Sequence, residues 1–212
     1  IKVGDVALVL APDQYAMAEY YVASVGHIFK LPTRRSEEEY LQAQQLGTVI
    51  YASKKLPNIA GKNVAVIGQG SAGLWWTFLL RRMGARRVIA IDLQEHRLAM
   101  SPRYGATHTI HNATVDPQSE LRKILNGDLP DLVVEAAGEL ESINLAIDLV
   151  KRHGFVLYFG VPRGKLMPIQ FDRLFGKCLQ VQAIVGANDD PGLSCYHHAM
   201  ELIDQGIADA KT

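Results

Sequence analysis

From Asn63 onward, short apolar runs alternate with longer stretches in which apolar positions recur every three or four residues. The runs at Val64 to Ile67, Arg87 to Ile91, Thr107 to Ile110, Leu132 to Glu135, Phe155 to Phe159 and Leu179 to Val185 predict strands. The segments Ala72 to Met83, Glu95 to Tyr104, Pro117 to Leu125, Glu139 to Lys151 and Leu193 to Gln205 predict helices. Near-continuous apolar strands separated by helices imply parallel pairing with both sheet faces covered. The predicted fold is therefore α/β, a doubly wound sheet with its six strands in the order 3-2-1-4-5-6. Pro102 falls inside the second helical pattern, where a missing N–H and a ring clash one turn back predict a kink or a restart.

The first third of the chain reads differently. Val6 to Leu10, Ala18 to Ala23 and His27 to Leu31 predict short extended segments of a β-rich unit, punctuated by Pro12 and Gly26. Ser36 followed by Glu39 forms a capping box, and the helix it opens should pass through Tyr40 and Leu41 toward Ala52.

A chain of 212 residues can hold one substantial domain, or one domain with part of another. Lys plus Arg and Asp plus Glu number 22 each, so net charge points neither to nucleic acid nor to an anionic membrane. No apolar run reaches the roughly 20 residues of a membrane span, and no basic-then-apolar leader is present, so a cytoplasmic location is expected. The first residue is Ile1 and strand-like sequence follows at once, which predicts a chain cut from something longer. Two cysteines, Cys178 and Cys195, are too few for a disulfide framework, and core filling is the expectation for both.

Chemistry concentrates in "NVAVIGQGSAGLWW". Gly68, Gly70 and Gly73 give the G-x-G-x-x-G spacing with a strand before and a helix after. The first glycine permits a tight turn, the second lets a pyrophosphate approach the backbone, and the third lets the helix pack closely on the strand. The helix N-terminus, with unpaired N–H groups and the positive end of its dipole, favours the phosphates. An acidic residue about 20 positions further on should hold the adenosine ribose, and Asp92 ends the second strand. A carboxylate there repels a 2′-phosphate and favours NAD over NADP, whereas Arg97 nearby could accommodate one. A ligand-free strand-to-helix turn, a turn holding S-adenosylmethionine, and a plain helix N-cap role for Asp92 remain the alternatives.

With these residues in place, the chain resembles the medium-chain dehydrogenase/reductase, or zinc-type alcohol dehydrogenase, family. The matching stretches include "GDVALV", "AEYYV", "LGTVIYA", "GKNVAVIGQGSAGL", "VIAIDLQEHRL", "YGATHTI", "DLVVEAAG", "GFVLYFGVP" and "AMELIDQGIADAKT", in family order along nearly the whole chain. The resemblance implies a six-stranded Rossmann sheet over residues 56–212 and, over residues 1–55, a β-rich remnant of a GroES-like catalytic domain with its connecting helix. It implies that Gly68, Gly70, Ser71, Ala72 and Gly73 cradle the pyrophosphate and that Asp92 and Arg97 meet the adenosine ribose. Ala137 and Gly138 would lie along the adenosine side. Phe159, Gly160, Val161, Ile184 and Val185 would flank the nicotinamide, and Thr48 would touch its face. The implied activity is NAD-dependent hydride transfer to or from a small secondary alcohol, polyol or carbonyl compound. Zinc-independent enone or quinone reduction, or a dinucleotide-binding domain without turnover, are the alternatives. A homodimer through the strand Leu179 to Val185 is also implied.

The chain departs from the family at Gln44. Zinc-bearing members place a cysteine or glutamate ligand there, four residues before the threonine, and an amide is a poor zinc ligand. No four-cysteine lobe follows the "GD" strand, so a structural zinc is not expected; a catalytic zinc is expected only where another residue replaces Gln44, and the catalytic acid and base are left unassigned. Tyr51 and Lys55 form a Tyr-x-x-x-Lys pair, read as helix packing and a solvated cation because the pair precedes the glycine turn. Cys195, His197 and His198 look ligand-like, but adjacent residues on a helix point about 100° apart. His108 and His111 likewise read as surface or loop residues.

Overall fold

The computed structural model describes residues 1–11 and 15–210, so Pro12, predicted as punctuation, lies outside the described residues. Two compact units divide the chain, one of Ile1–Tyr51 with Gly186–Thr212 and one of Ala52–Val185. The 186–212 stretch, predicted as the end of the α/β domain, thus clusters with the first unit.

In the first unit, β1 (Ala7–Val9) pairs antiparallel with β2 (Ile28–Lys30), Leu8 opposite Phe29. A 3-10 turn at Val25–His27 leads into β2. The extended segment predicted over Ala18 to Ala23 is not a strand. Its alternation buries nothing, and Tyr20 and Val22 are almost fully exposed. Helix α1 (Glu37–Ser53) starts at the predicted capping box: Ser36 N–H donates to Glu39 Oε2 at 3.0 Å and Glu39 N–H to Ser36 Oγ at 3.3 Å. Tyr40, Ala43, Leu46 and Val49, each three residues apart, form its buried stripe.

The second unit is built on a parallel sheet of β3 (Asn63–Ile67), β4 (Arg87–Asp92), β5 (His108–His111), β6 (Leu132–Glu135), β7 (Phe155–Tyr158) and β8 (Gln180–Ala183), in the spatial order β5-β4-β3-β6-β7-β8. This is the predicted order. Helices α2 (Ser71–Arg82), α3 (Glu95–Met100), α4 (Pro117–Ile124) and α5 (Leu140–Leu149) form the crossovers. Side chains alternate across a strand, so Ala65, Ile67, Ile89 and Ile91 share one face and pack with Leu121, Val133, Leu149 and Val156. Val64, Val66, Val88 and Ala90 lie on the other face, wholly buried, and α2 packs on β3 and β4.

Proline acts where predicted. Helix α3 stops at Met100, a 3-10 turn carries Ser101–Tyr104, and Gly105 closes it at φ 97°. Helix α6 (Phe171–Gly176) was not predicted, being too short and too exposed, at Phe171 and Phe175, to show a periodic stripe. Strand β8 is exposed along its length, contrary to the covered strand expected, and Cys178 just before it is exposed at φ 54° rather than in the core. Gln180 and Gln182 break the apolar run, so this edge never carried a full core pattern.

The last helix, α7 (Ser194–Asp204), belongs to the first unit. There Tyr40 Oη donates to Asp204 Oδ1 at 2.6 Å, and Gly47 leaves room for Tyr196, whose Cδ1 would lie 2.5 Å from a Cβ at that position. Among the described residues no helix is long and apolar enough to cross a membrane. Ile89→Ala, which removes a wholly buried side chain from the central sheet, should cost about 2–5 kcal/mol, measured as a lower urea midpoint with an unchanged slope.

Candidate functional site

All six strands of the sheet are parallel, so their C-terminal ends gather on one edge, and the order reverses between β3 and β6. Such a switch point opens a crevice. The turn after β3 lies there. Gly68 has φ 89°, donates its N–H to Ile91 O at 2.8 Å and presses against Ala137, with only 3.1 Å to a Cβ built on it. Gly73 is tighter, since a Cβ would stand 1.8 Å from Gly68 O. Gly70 is the opposite case. It caps α2 with no side-chain acceptor, and a Cβ there would meet nothing within 4 Å. Two glycines are thus demanded by the protein's own packing, while the third faces open space at an uncapped helix N-terminus. That combination fits a phosphate-bearing ligand.

The turn is held by groups that the glycine spacing does not reveal. Gln69, 1% exposed, donates through Nε2 to Val66 O and Gly68 O at 3.3 and 3.2 Å, and its Oε1 accepts from Thr77 and Ser101 hydroxyls at 3.1 and 3.0 Å. Asp92 Oδ2 accepts the Gln69 N–H at 2.5 Å and Oδ1 the Gln94 N–H at 2.7 Å. The helix cap is Gln94, not Asp92. Each carboxylate oxygen has two lone-pair directions, so Asp92 retains acceptor capacity after clamping the turn. Arg97 lies 4.0 Å from Oδ2 with half its side chain in solvent.

Across the switch point stands a residue that sequence reasoning treated only as a strand end. Glu135 is wholly buried, and its Oε1 accepts from Ala137 N–H, Gly138 N–H and Ser142 Oγ at 2.8, 2.7 and 2.7 Å. Its Oε2 has no hydrogen-bond partner among the described residues. A charged residue closing the apolar run "LVVE" was the available signal. The Glu135 carbonyl also accepts Phe159 and Gly160 N–H groups at 2.9 and 3.0 Å, so one residue joins the loops after β6 and β7. Those loops are in contact: a Cβ on Gly138 would lie 2.1 Å from Val161 O, and one on Gly160 2.3 Å from Gly138 N. Burial, with the Glu135 charge adding to it, pushes the Tyr158 phenol up to about 12, which keeps it a neutral donor to Ile143 O at 3.1 Å.

The remaining predicted positions fall as follows. Ser71 and Ala72 open α2 beside Gly70. Phe159 stacks edge-on against Trp76 with centroids 5.3 Å apart, and Val161 is exposed. Ile184 donates its N–H to Tyr158 O at 3.1 Å, and Val185 is exposed at the end of the edge strand. Thr48 lies in the other unit, buried in α1, with its hydroxyl donating to Gln44 O at 3.0 Å. Cys195 is buried while His197 and His198 are exposed, so the three face apart. His111 Nε2 is bonded to Leu93 O at 2.9 Å. Among the described residues no three His, Cys, Asp or Glu side chains gather into a group that could hold a metal ion.

The fold and the turn define the doubly wound, dinucleotide-crevice class of α/β domain. Residues 72–205 match the family model described as zinc-binding dehydrogenase, and the chain belongs to that family. A probable D-xylulose reductase A of Aspergillus fumigatus is 30% identical over 205 residues, covering 94% of this chain and 56% of that protein. The alcohol dehydrogenase TADH from Thermus sp. ATN1 superposes with TM-score 0.75 at 27% identity, over 86% of this chain and 52% of that one. A Sinorhizobium meliloti zinc-binding dehydrogenase, determined bound to NADP, gives TM-score 0.73 at 24% identity, over 86% and 53%. The chain therefore spans about half the length of these relatives.

Stability should separate the glycines. Gly73→Ala forces a methyl into Gly68 O and should lower the unfolding midpoint sharply, whereas Gly70→Ala, with open space at that position, should change stability by less than about 1 kcal/mol. Glu135→Ala removes the acceptor of the buried Gly138 N–H and the partly buried Ala137 N–H, while the Ser142 hydroxyl keeps Glu139 O, and should cost about 3 kcal/mol in urea unfolding.

Proposed function

We propose that this chain is the cofactor-binding part of a pyridine-nucleotide-dependent dehydrogenase that moves a hydride between a secondary alcohol or polyol and NAD. The observation that carries the reading is Gly70. It stands at an uncapped helix N-terminus with space on its Cα side, between two glycines that the fold itself requires. Membership of the dehydrogenase family and the polyol- and alcohol-handling names of its relatives support the substrate class. On this reading residues 56–212 form the nucleotide domain, and residues 1–55 a catalytic-domain portion with its connecting helix.

The nucleotide, when bound, supplies the hydride chemistry. The chain's own residues hold and orient it. Backbone N–H groups of Ser71, Ala72 and Gly73 would meet the pyrophosphate at the dipole's positive end. Asp92, fixed by two backbone donors, would offer its remaining lone pairs to the adenosine ribose hydroxyls, and its charge would oppose a 2′-phosphate. Ala137 and Gly138 would pass along the adenosine side. Phe159, Gly160, Val161, Ile184 and Val185 would flank the nicotinamide by backbone and apolar contact. Zinc has no fitting donor set among the described residues, and Gln44 stands where the resemblance would place a ligand, so no step is assigned to it. Gln44 also favours a second reading, enone or quinone reduction without metal. The exposed β8 is the edge through which two copies would pair.

Fluorescence titration with NADH tests the reading: NADH should bind saturably and S-adenosylmethionine should not, and the reverse result overturns it. Gly70→Val should abolish NADH binding. Asp92→Ala should weaken NADH by about ten- to a hundred-fold, the loss of hydrogen bonds to a charged group, and NADPH far less. Equal losses would remove Asp92 from the ribose.

A further inference from the structure

The sheet has a second concavity at its other end. Where β3, β6, β7 and β8 begin, a cavity of about 170 Å³ is lined by Asn58, Lys62, Asp131, Lys151, His153 and Gln180 over a floor that includes Ile59, Leu132 and Phe155. Every lining residue lies in the second unit. The length of β3 separates this cavity from the glycine turn, about 15–20 Å at 3.3 Å per residue. It is too small for a dinucleotide, since pockets for such ligands run to about 300 Å³ and above.

Its chemistry is unbalanced toward donors. Two ammonium groups, an imidazole and two side-chain amides surround one carboxylate, Asp131. That carboxylate is already engaged: Oδ1 is bonded to Lys151 Nζ, and Oδ2 accepts Asn63 N–H at 2.8 Å. Burial alone would raise the Asp131 carboxyl. The Lys151 bond, the Asn63 N–H and the charges of Lys151 and Lys62 outweigh it and hold the group below the ordinary aspartate value. Asp131 is therefore ionised and cancels one cation. Lys62, 3.9 Å from Oδ1 and half exposed, is the second. The cavity keeps a surplus positive charge, and a cation has no further carboxylate to meet there.

We propose that this cavity is a second ligand site, taking a phosphate-sized oxyanion against Lys62 and His153, with the Asn58 and Gln180 amides as additional donors. The oxyanion is either free phosphate or the phosphoryl group of a small phosphomonoester. Compact ammonium groups suit such an anion as point charges. The site is independent of the dinucleotide reading, because the two lie at opposite ends of the strands.

Thermal unfolding with and without saturating NADH, titrated with inorganic phosphate or glycerol phosphate against sodium chloride of matched ionic strength, tests the proposal. Phosphate should raise the midpoint saturably in the millimolar range, in the presence of NADH as in its absence. Response to both anions assigns phosphomonoesters, and response to inorganic phosphate alone assigns the free ion. Lys62→Met should weaken the effect about ten-fold or more. His153 has φ 59°, so His153→Gly relieves a left-handed backbone and should preserve or raise the basal midpoint while also weakening the phosphate effect. No response beyond that of chloride, or a response that both variants leave intact, overturns the proposal. So does a response that NADH abolishes, which would place the anion on the glycine turn. Failure of NADH to bind would count against the dinucleotide reading alone.

Discussion

The approach of helix to strand at Gly73 is the constraint on which the rest of the second unit depends. With 1.8 Å between the Gly68 carbonyl and any Cβ at that position, only hydrogen can occupy the site, and α2 can lie against β3 and β4 at its observed depth only because of it. That depth puts the α2 N-terminus at the point where the strand order reverses. It also buries Trp75 and Trp76. A methyl group would move the helix outward, and the burial and the aim of the N–H groups would change together.

Around this contact the protein uses buried polar groups as ties rather than as reactive centres. Gln69 spends its amide on four partners, Asp92 binds the turn to the end of β4, and Glu135 binds the loops after β6 and β7. Buried polar groups are costly unless satisfied, and a satisfied network fixes one geometry. The crevice walls are thus set by hydrogen bonds on both sides of the switch point. Glu135 Oε2, 2.8 Å from where a Cβ on Gly160 would lie, and Trp76 Nε1 on α2 are exceptions, buried atoms with no hydrogen-bond partner among the described residues.

What the sequence disclosed follows the same physics. The sheet order, the glycine turn and the restart at Pro102 were legible because each rests on local rules: apolar period, backbone freedom, a missing N–H. Asp92 was singled out by its distance from the turn, but its clamp on the turn was not legible, since the Gln69 N–H it accepts lies 23 residues away. Gln69 and Glu135 were passed over because a side chain's satisfaction depends on strands that meet only in the fold. Cys178 and β8 were misread because an apolar run shows a capacity for burial, not whether anything covers it. The segment from Ala18 to Ala23 failed in the same way.

The shared carboxylate at Asp92 has a consequence for redesign. Exchanging the acid for a smaller neutral residue, the obvious route toward a phosphorylated ribose, would also strip the acceptor from two backbone amides of the turn and its neighbour. With Asp92 in the proposed ribose role, cofactor preference and loop rigidity would be coupled through one side chain. An engineered swap would need a compensating acceptor for the Gln69 amide as well as a cation for the new phosphate.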